Sequence, residues 1–427
     1  MGLKHWIVGV AAAAVASVAF AQPAGEMAAA AFRRLRAEGV AAVNAGDFRT
    51  AEARLAAAGQ VIPNHPGLLV LQAKVRAAQD DLPGAIAIMD RYARLGLTID
   101  AASDEVLQRV FVETDFAPVA RLLAANALPV GKLETEGQID GAWLAEAVAW
   151  DAKRKRWLIS GVHGRSIVAV KGKKLSRFLA ADSGADGVLG LVLDARRDVL
   201  WAATAGLPQA KDLPPERKGR SALLKIDASS GRVLARLEAP AGGHSFGDVL
   251  LSPDGTVFLS DSATGEIFRA GPDAKALERV LPAGRIASPQ GLVLAADGKR
   301  LIVADYTSGL YLVDPATGSA TMMQAVETAA LVGIDGLIAH DGGLIAIQNG
   351  VSPQRVLRLD LDPGGTRITG WRVLAANHPI LQEPTTGVIV GDDLVLIARS
   401  QWTDFRADGT LSRNPPGPAV LARLKLR

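Results

Sequence analysis

The chain has 427 residues, of which 49% are hydrophobic and 21% charged, so it is long enough for two or three domains with a sizeable core. Its formal net charge is only +3 and its Lys and Arg residues form no long cluster, which argues against a nucleic-acid partner. The absence of cysteine excludes disulfides, thiolate catalysis and cysteine-based zinc sites.

The first 21 residues have the features of a secretory signal peptide. A short cationic start, MGLKH, precedes the apolar segment WIVGVAAAAVASVAF, and AFA at residues 19–21 offers a small-x-small cleavage site. The apolar segment is shorter than the roughly 20 residues needed to span a bilayer, so we expect cleavage near Ala21 rather than an anchor helix. The mature protein is therefore predicted to be exported, periplasmic or secreted, with no membrane span after signal removal.

Residues 26–128 show a helical pattern that repeats every 34 residues. The stretches GDFRTAEARL, DDLPGAIAIM and TDFAPVARLL place Asp47, Asp81 and Asp115 at equivalent positions, and Asp suits helix starts because its side chain accepts hydrogen bonds from free backbone N–H groups. The period resembles that of tetratricopeptide helical repeats, which implies a protein or peptide partner. A helical cap for the following domain is the alternative, and the pattern does not choose between them.

Residues 131–427 have a different pattern, in which short apolar runs alternate with Asp-Gly and Thr-Gly turns. Six segments share the order apolar run, turn, apolar run, and each is followed by further strand candidates. Six repeats of roughly 40–50 residues each predict an all-β six-bladed β-propeller. The segments begin at Glu146, Leu189, Gly247, Gln290, Asp335 and Thr386.

A propeller brings the first residues of these segments together, because the innermost strand of each blade runs along the central channel. Side chains at the start of those strands therefore gather around one axis, although they are far apart in sequence. We also expect residues 131–138 to close the ring by pairing with the last strand, AVLARLKL.

Three stretches of the propeller segment contain extended motifs: AEAVAWDAKRKRWLISGVHGRSI, SPQGLVLAADGKRLIVADYTSGLY and GIDGLIAHDGGLIAI. These motifs resemble those of the gluconolactonase/regucalcin family of six-bladed, metal-dependent lactonases. The resemblance implies a divalent cation, calcium or zinc, held by Glu146, Gln290 and Asp335, with Asp335 as general base. Gln290 departs from the family's asparagine: it keeps the amide oxygen but extends its reach by roughly 1.5 Å.

The substrate side of the site also departs from that family. In HSFGDVLLSPDG this chain has Gly247 where the family has an asparagine, and Ser245 where it often has an arginine. We expect a small-molecule ligand in the channel, with Gly247, Thr386, His163 and His244 as weaker candidates for its pocket.

Three functions are compatible with this pattern. The first is an exported binding or assembly protein, built on a lactonase-like propeller with an altered site. The second is a metal-dependent hydrolase of a lactone or related ester that uses Glu146, Gln290 and Asp335. The third is a small-molecule sensor without turnover.

Overall fold

Six α-helices occupy the first part of the described chain, and the strands follow them. The computed structural model describes residues 27–100 and 104–426, and the predicted signal peptide, residues 1–21, lies outside those ranges. The helices are Ala28–Asn44 (α1), Phe48–Val61 (α2), Pro66–Ala78 (α3), Leu82–Arg94 (α4), Glu105–Phe111 (α5) and Ala117–Asn126 (α6).

The helix starts follow the repeat at two of its three positions. Asp47 accepts a hydrogen bond from the Thr50 N–H at the start of α2, and Asp81 accepts one from the Gly84 N–H at the start of α4. Asp115 instead lies inside a short 3₁₀ turn, Thr114–Phe116, and α6 begins without a side-chain cap. The expectation that Asp115 caps a helix is therefore wrong. The tetratricopeptide class of these helices stays a prediction.

The rest of the described chain forms a six-bladed propeller, as the sequence predicts. Blades one to three are four-stranded and antiparallel. Blade one has Ala145–Asp151 (β2), Arg156–Gly161 (β3), Ser166–Lys171 (β4) and Lys174–Leu179 (β5). Blade two has Gly187–Asp194 (β6), Val199–Ala205 (β7), Ser221–Asp227 (β8) and Val233–Glu238 (β9). Blade three has Phe246–Leu251 (β10), Val257–Asp261 (β11), Glu266–Ala270 (β12) and Glu278–Leu281 (β13).

Blades four to six complete the ring. Blade four has Pro289–Leu294 (β14), Leu301–Asp305 (β15), Gly309–Asp314 (β16) and Ser319–Met322 (β17). Blade five has Ile334–His340 (β19), Gly343–Gln348 (β20), Arg355–Leu361 (β21) and Arg367–Ala376 (β22), with Gln324–Ala325 (β18) added in parallel to β22. Blade six has Gly387–Val390 (β23), Asp393–Arg399 (β24), Ala419–Lys425 (β25) and, as its outer strand, Leu133–Ile139 (β1).

The ring is closed by the pairing of β1 with β25, which is antiparallel and aligns Leu133 with Leu424. This confirms the expected closure between the first and last strands. The innermost strands of neighbouring blades contact one another in the order β2, β6, β10, β14, β19, β23 and back to β2. Their first residues therefore surround one central channel.

Buried side chains fill the spaces between blades. Leu158 of blade one and Leu200 of blade two share one cluster, and both are fully buried. Ile159 of blade one and Ile397 of blade six share another. Each blade thus covers both apolar faces against its neighbours, which is the physical reason for a closed ring.

The helical segment is fixed to blade five by buried polar contacts. Arg355 of β21 is 1% exposed, and its Nη1 donates to the carbonyl oxygens of Leu95, at 2.8 Å, and Gly96, at 3.1 Å. The Asn64 amide donates to the carbonyl oxygen of Ala329 at 2.9 Å. Because these groups are buried, breaking any of these hydrogen bonds would leave a polar atom unsatisfied, so the two parts hold a defined orientation.

Candidate functional site

The candidate site lies where the innermost strands begin, and a β-bulge interrupts most of them there. The register with the second strand shifts between Ala145 and Val148, between Phe246 and Val249, between Pro289 and Leu292, and between Ile334 and Gly336. A bulge leaves one residue without a partner and redirects its side chain. The predicted residues Glu146, Gln290 and Asp335 all lie inside these bulges.

Two buried serines hold the bulges in blades one and three. The Ser160 hydroxyl accepts a hydrogen bond from the Ala147 N–H at 2.8 Å, and the Ser260 hydroxyl accepts one from the Asp248 N–H at 3.0 Å. Each serine sits at an equivalent place in the second strand and is fully buried. The N–H groups released from the ladder are therefore satisfied, and the bulges are stable features of the sheet.

Glycines let neighbouring innermost strands approach closely around the channel. A Cβ atom on Gly291 would lie 2.7 Å from the carbonyl oxygen of Asp335, and one on Gly336 would lie 2.4 Å from that of Thr385. No residue larger than glycine fits at these two positions. The glycines that follow Gln290 and Asp335 thus narrow the ring and bring site residues of adjacent blades together.

Four carboxyl groups are linked at the channel mouth through their effects on one another's pKa: Glu146, Asp248, Asp335 and Glu383. Burial and the negative charge of Asp335 raise the pKa of Glu146 well above its usual value. Burial and the Asp335 charge raise the pKa of Asp248 to about 8. Burial, with a further contribution from the Glu383 charge, raises the pKa of Asp335 to about 7. The negative charge of Asp335 thus disfavours ionisation of Glu146.

Glu146 forms hydrogen bonds through both its side chain and its backbone carbonyl. The Trp402 indole Nε1 donates to its Oε2 at 2.7 Å. Its backbone carbonyl accepts from the hydroxyls of Thr385, at 2.6 Å, and Thr386, at 3.1 Å. The hydroxyl of Thr386, a predicted pocket residue, therefore binds the strand that carries Glu146.

A buried glutamine positions the loop that carries Trp402. Gln401 has a left-handed backbone, with φ of 81°, and is 1% exposed. Its side-chain oxygen accepts from the N–H groups of Trp143, at 3.0 Å, and Leu144, at 2.6 Å, immediately before β2. The tryptophan and the carboxylate that it contacts are consequently fixed relative to each other.

Asp335 is oriented by a chain of two hydrogen bonds. The Asn349 side-chain nitrogen donates to Asp335 Oδ2 at 2.7 Å, and the Tyr306 hydroxyl donates to Asn349 Oδ1 at 2.9 Å. The Asn349 bond lowers the pKa of Asp335 and so opposes the effect of burial. Oδ2 of Asp335 is thus engaged by Asn349, whose own side chain is fixed by Tyr306.

The amide oxygen of Gln290 lies beside Gly247 of the neighbouring innermost strand. Its Nε2 donates to the Ser288 hydroxyl at 3.3 Å, which fixes the amide. A Cβ atom on Gly247 would lie 3.8 Å from Gln290 Oε1. The longer side chain of glutamine is thus accommodated beside a glycine, so the two positions at which the sequence differs from the family that it resembles lie next to each other.

His163 and His244, the two histidines predicted to line the pocket, form their hydrogen bonds with residues outside the carboxylate cluster. His163 Nδ1 donates to the carbonyl oxygen of Gln209 at 2.7 Å. His244 is buried, and its Nδ1 donates to Asp261 Oδ2 at 2.5 Å. Ligand atoms of His244, Asp261 and Glu266 lie within 4.8 Å of one another. Glu266 is, however, already paired with Arg279 at 2.8 Å. This second cluster is satisfied by its own contacts.

Sequence reasoning missed several residues of the site. Asp248 directly follows Gly247, and the bulge in β10 selects it as the side chain of blade three. The sequence signal that could have identified Asp248 is its place directly beside Gly247, the residue aligned with the other strand starts. Glu383, Asn349 and Trp402 lie outside the starts of the inner strands and had no such signal.

Comparisons with known proteins give distant structural similarity only. No protein-family model matches the chain, and no curated protein matches it. A gluconolactonase from Xanthomonas campestris is 17% identical, with a TM-score of 0.46, over 71% of this chain and 93% of that one. A luciferin-regenerating enzyme is 15% identical, with a TM-score of 0.48, over 70% and 95%. An aldose sugar dehydrogenase with bound PQQ, from Streptomyces coelicolor, is 14% identical, with a TM-score of 0.47, over 69% and 98%.

Within residues 27–100 and 104–426, no helix is both long and apolar enough to cross a bilayer.

Proposed function

We propose that the channel mouth binds a divalent cation and that the protein hydrolyses a lactone or related ester. The observation that supports this proposal is a cluster of carboxyl groups whose pKa values are raised, because burial and mutual repulsion disfavour their ionisation. In the described chain, no Lys, Arg or His appears among the groups that shift the pKa of Asp248, Asp335 or Glu383. Such a cluster is costly unless protons or a cation neutralise it.

The types of donor suit a hard cation, which would have to draw them together, because among the described residues no three of these carboxylates have ligand atoms within 4.8 Å of one another. Glu146, Asp248 and Asp335 supply carboxylate oxygens, and Gln290 supplies an amide oxygen. Oxygen-only sets suit calcium, whereas zinc usually takes nitrogen or sulfur ligands as well. Of the two predicted ions, calcium therefore agrees better with these residues. Glu146, Gln290 and Asp335 would hold it, as the family resemblance implies, with Asp248 as an additional ligand.

The reaction would use Asp335 as its base. A bound cation would polarise the substrate carbonyl and lower the pKa of a nearby water. Asn349 holds Oδ2 of Asp335, so Oδ1 can accept a proton from the attacking water. Water adds to the carbonyl carbon, the ring C–O bond breaks, and the proton passes from Asp335 to the released alkoxide. The product is the open hydroxy acid.

The test is a cation titration followed by an activity screen. The purified protein, treated with EDTA, is titrated with calcium by calorimetry and then assayed on a panel of lactones. We expect calcium binding and calcium-dependent hydrolysis, with a loss of at least about a hundredfold in Asp335→Asn. The exposed Asp140→Asn variant is the matched control and should behave as the wild type. Absence of calcium binding would refute the proposal.

A binding or sensor protein without turnover is the second candidate. The observation that favours it is Gly247, which provides no side chain for a substrate at a position where the resembled family has an asparagine. Calcium binding without hydrolysis of any lactone would select this candidate. Export, which follows from residues 1–21, and a protein partner on the helices stay predictions.

A further inference from the structure

A cleft of about 320 Å³ lies between the helical segment and the propeller. Its walls come from α1, from the start of α3 and from two loops of blades four and five. The residues used below are Phe32, Arg33, His65, Gly67 and Tyr306. This volume falls in the range of small-molecule sites.

The inner wall of the cleft is apolar and aromatic. Phe32 is buried and stacks on His65, with ring centroids 4.5 Å apart and planes inclined by 27°. Ile62 and Val332 are also buried and line the same space. Burial, helped by the charge of Arg36, lowers the pKa of His65 to about 4, so its ring is neutral at physiological pH. This wall favours a flat apolar group.

A cationic side chain lies at the rim. Arg33 is exposed and lines the cleft, and it forms no ion pair within the described ranges of the chain. Its neighbour Arg34 is instead paired with Glu38 at 3.1 Å. No acidic residue lines the cleft in the part of the chain that the structure describes. The rim is thus positive, in contrast to the acidic channel mouth.

His65 adds a polar group that lacks a partner. Its Nδ1 is buried and has no hydrogen-bond partner among residues 27–100 and 104–426. A buried polar atom without a partner costs free energy, and a ligand that supplies one recovers part of it.

We propose that this cleft binds a small organic anion with an apolar, aromatic body. The body would lie on the Phe32 and His65 rings, and the anionic group would pair with the Arg33 guanidinium at the rim. A charge-assisted contact with Arg gives affinity for carboxylates and sets the direction in which the ligand enters.

The cleft adjoins the channel mouth through a single side chain. Tyr306 lines the cleft, and its hydroxyl donates to Asn349, which holds Asp335. Burial and the charges of Asp335 and Glu383 raise the pKa of Tyr306, so the hydroxyl stays a donor. Two residues, Tyr306 and Asn349, would therefore connect a bound ligand to Asp335 of the carboxylate cluster.

Calorimetry with phenylacetate and its neutral analogue phenylacetamide tests the proposal. The titrations use the purified protein in EDTA, so their outcome depends neither on a cation nor on hydrolysis. We expect phenylacetate to bind about tenfold more tightly than phenylacetamide, and Arg33→Ala to remove that preference. Arg34→Ala, on the same helix but paired with Glu38, is the matched control and should keep it.

A second variant tests the location of the site. A Cβ atom on Gly67 would meet only the His65 ring, at 3.5 Å or more, so the exposed Gly67→Leu substitution should be tolerated. It should weaken both ligands by occupying cleft volume. The proposal is overturned if phenylacetate does not bind at millimolar concentrations, if both ligands bind equally, or if Gly67→Leu leaves both affinities unchanged in a folded protein.

Discussion

Replacing Asp335 with asparagine should stabilise the cation-free protein at alkaline pH. Burial and the Glu383 charge raise the pKa of Asp335 from 3.8 to about 7. A carboxyl with a higher pKa in the folded state destabilises the fold once it ionises. The penalty is absent below 3.8, grows as pH rises toward about 7 and is complete above it. At about 1.4 kcal/mol per pH unit, its upper limit is about 4 kcal/mol.

The increase in the free energy of unfolding should be smaller, about 1–3 kcal/mol. Water reaches the channel mouth, and the electrostatic repulsion is distributed over four carboxyl groups. Asparagine has nearly the same shape, and its Oδ1 can still accept the hydrogen bond from Asn349. The substitution therefore removes the charge with little change in packing. Calcium should reverse the order of stability, since saturation at about a thousand times its dissociation constant stabilises the wild type by about 4.1 kcal/mol.

The assay is thermal unfolding at about pH 5 and about pH 8, in EDTA and in calcium. Without a cation, we expect Asp335→Asn to melt above the wild type at the higher pH, with less than half that difference at the lower pH. Calcium should raise the melting temperature of the wild type and change that of the variant little. The exposed Asp140→Asn substitution should match the wild type throughout. A variant that is less stable at the higher pH, or that calcium stabilises equally, would refute this account of the site.

Two further substitutions test the contacts around the site and at the helix–propeller junction. Trp402→Phe removes the hydrogen-bond donor to Glu146 and should lower calcium affinity about tenfold in a calorimetric titration. Its melting temperature in EDTA should not change. Unaltered calcium affinity would show that this hydrogen bond does not orient the carboxylate. Arg355→Met leaves the carbonyls of Leu95 and Gly96 without their donor and should cost about 2–4 kcal/mol, with faster proteolytic release of the helical segment. Arg372→Met, exposed on the adjacent strand, is its control, and equal proteolysis of the two variants would contradict the role of Arg355.

The architecture of the propeller could be predicted because its turns and apolar runs are local signals. Asp254 and Asp297 show why: each accepts a hydrogen bond from the N–H two residues later, at 2.9 Å, and so forms the turn that its Asp-Gly sequence predicts. Repetition of such turns fixes the number of blades. The residues that begin each innermost strand then follow from their alignment.

The details of the site depended on features that the sequence does not express locally. In β10 the bulge selects Asp248 rather than the aligned Gly247, and a shift of one residue in a strand moves a side chain to the other face. Glu383 has a left-handed backbone, with φ of 53°, in a loop whose path is set by tertiary contacts. The failure of Asp115 to cap a helix has a similar cause, because a 3₁₀ turn precedes α6 there.

The pairing of β25 with both β24 and β1 has a consequence for biosynthesis. The helices and blades one to five precede β25 in the chain, so a ribosome releases them first. Blade six cannot assemble until residues 419–425 emerge, and until then the nascent propeller has two open edges. Completion of the ring therefore waits for synthesis of β25, and until then the growing polypeptide needs protection of those edges from misdirected strand pairing.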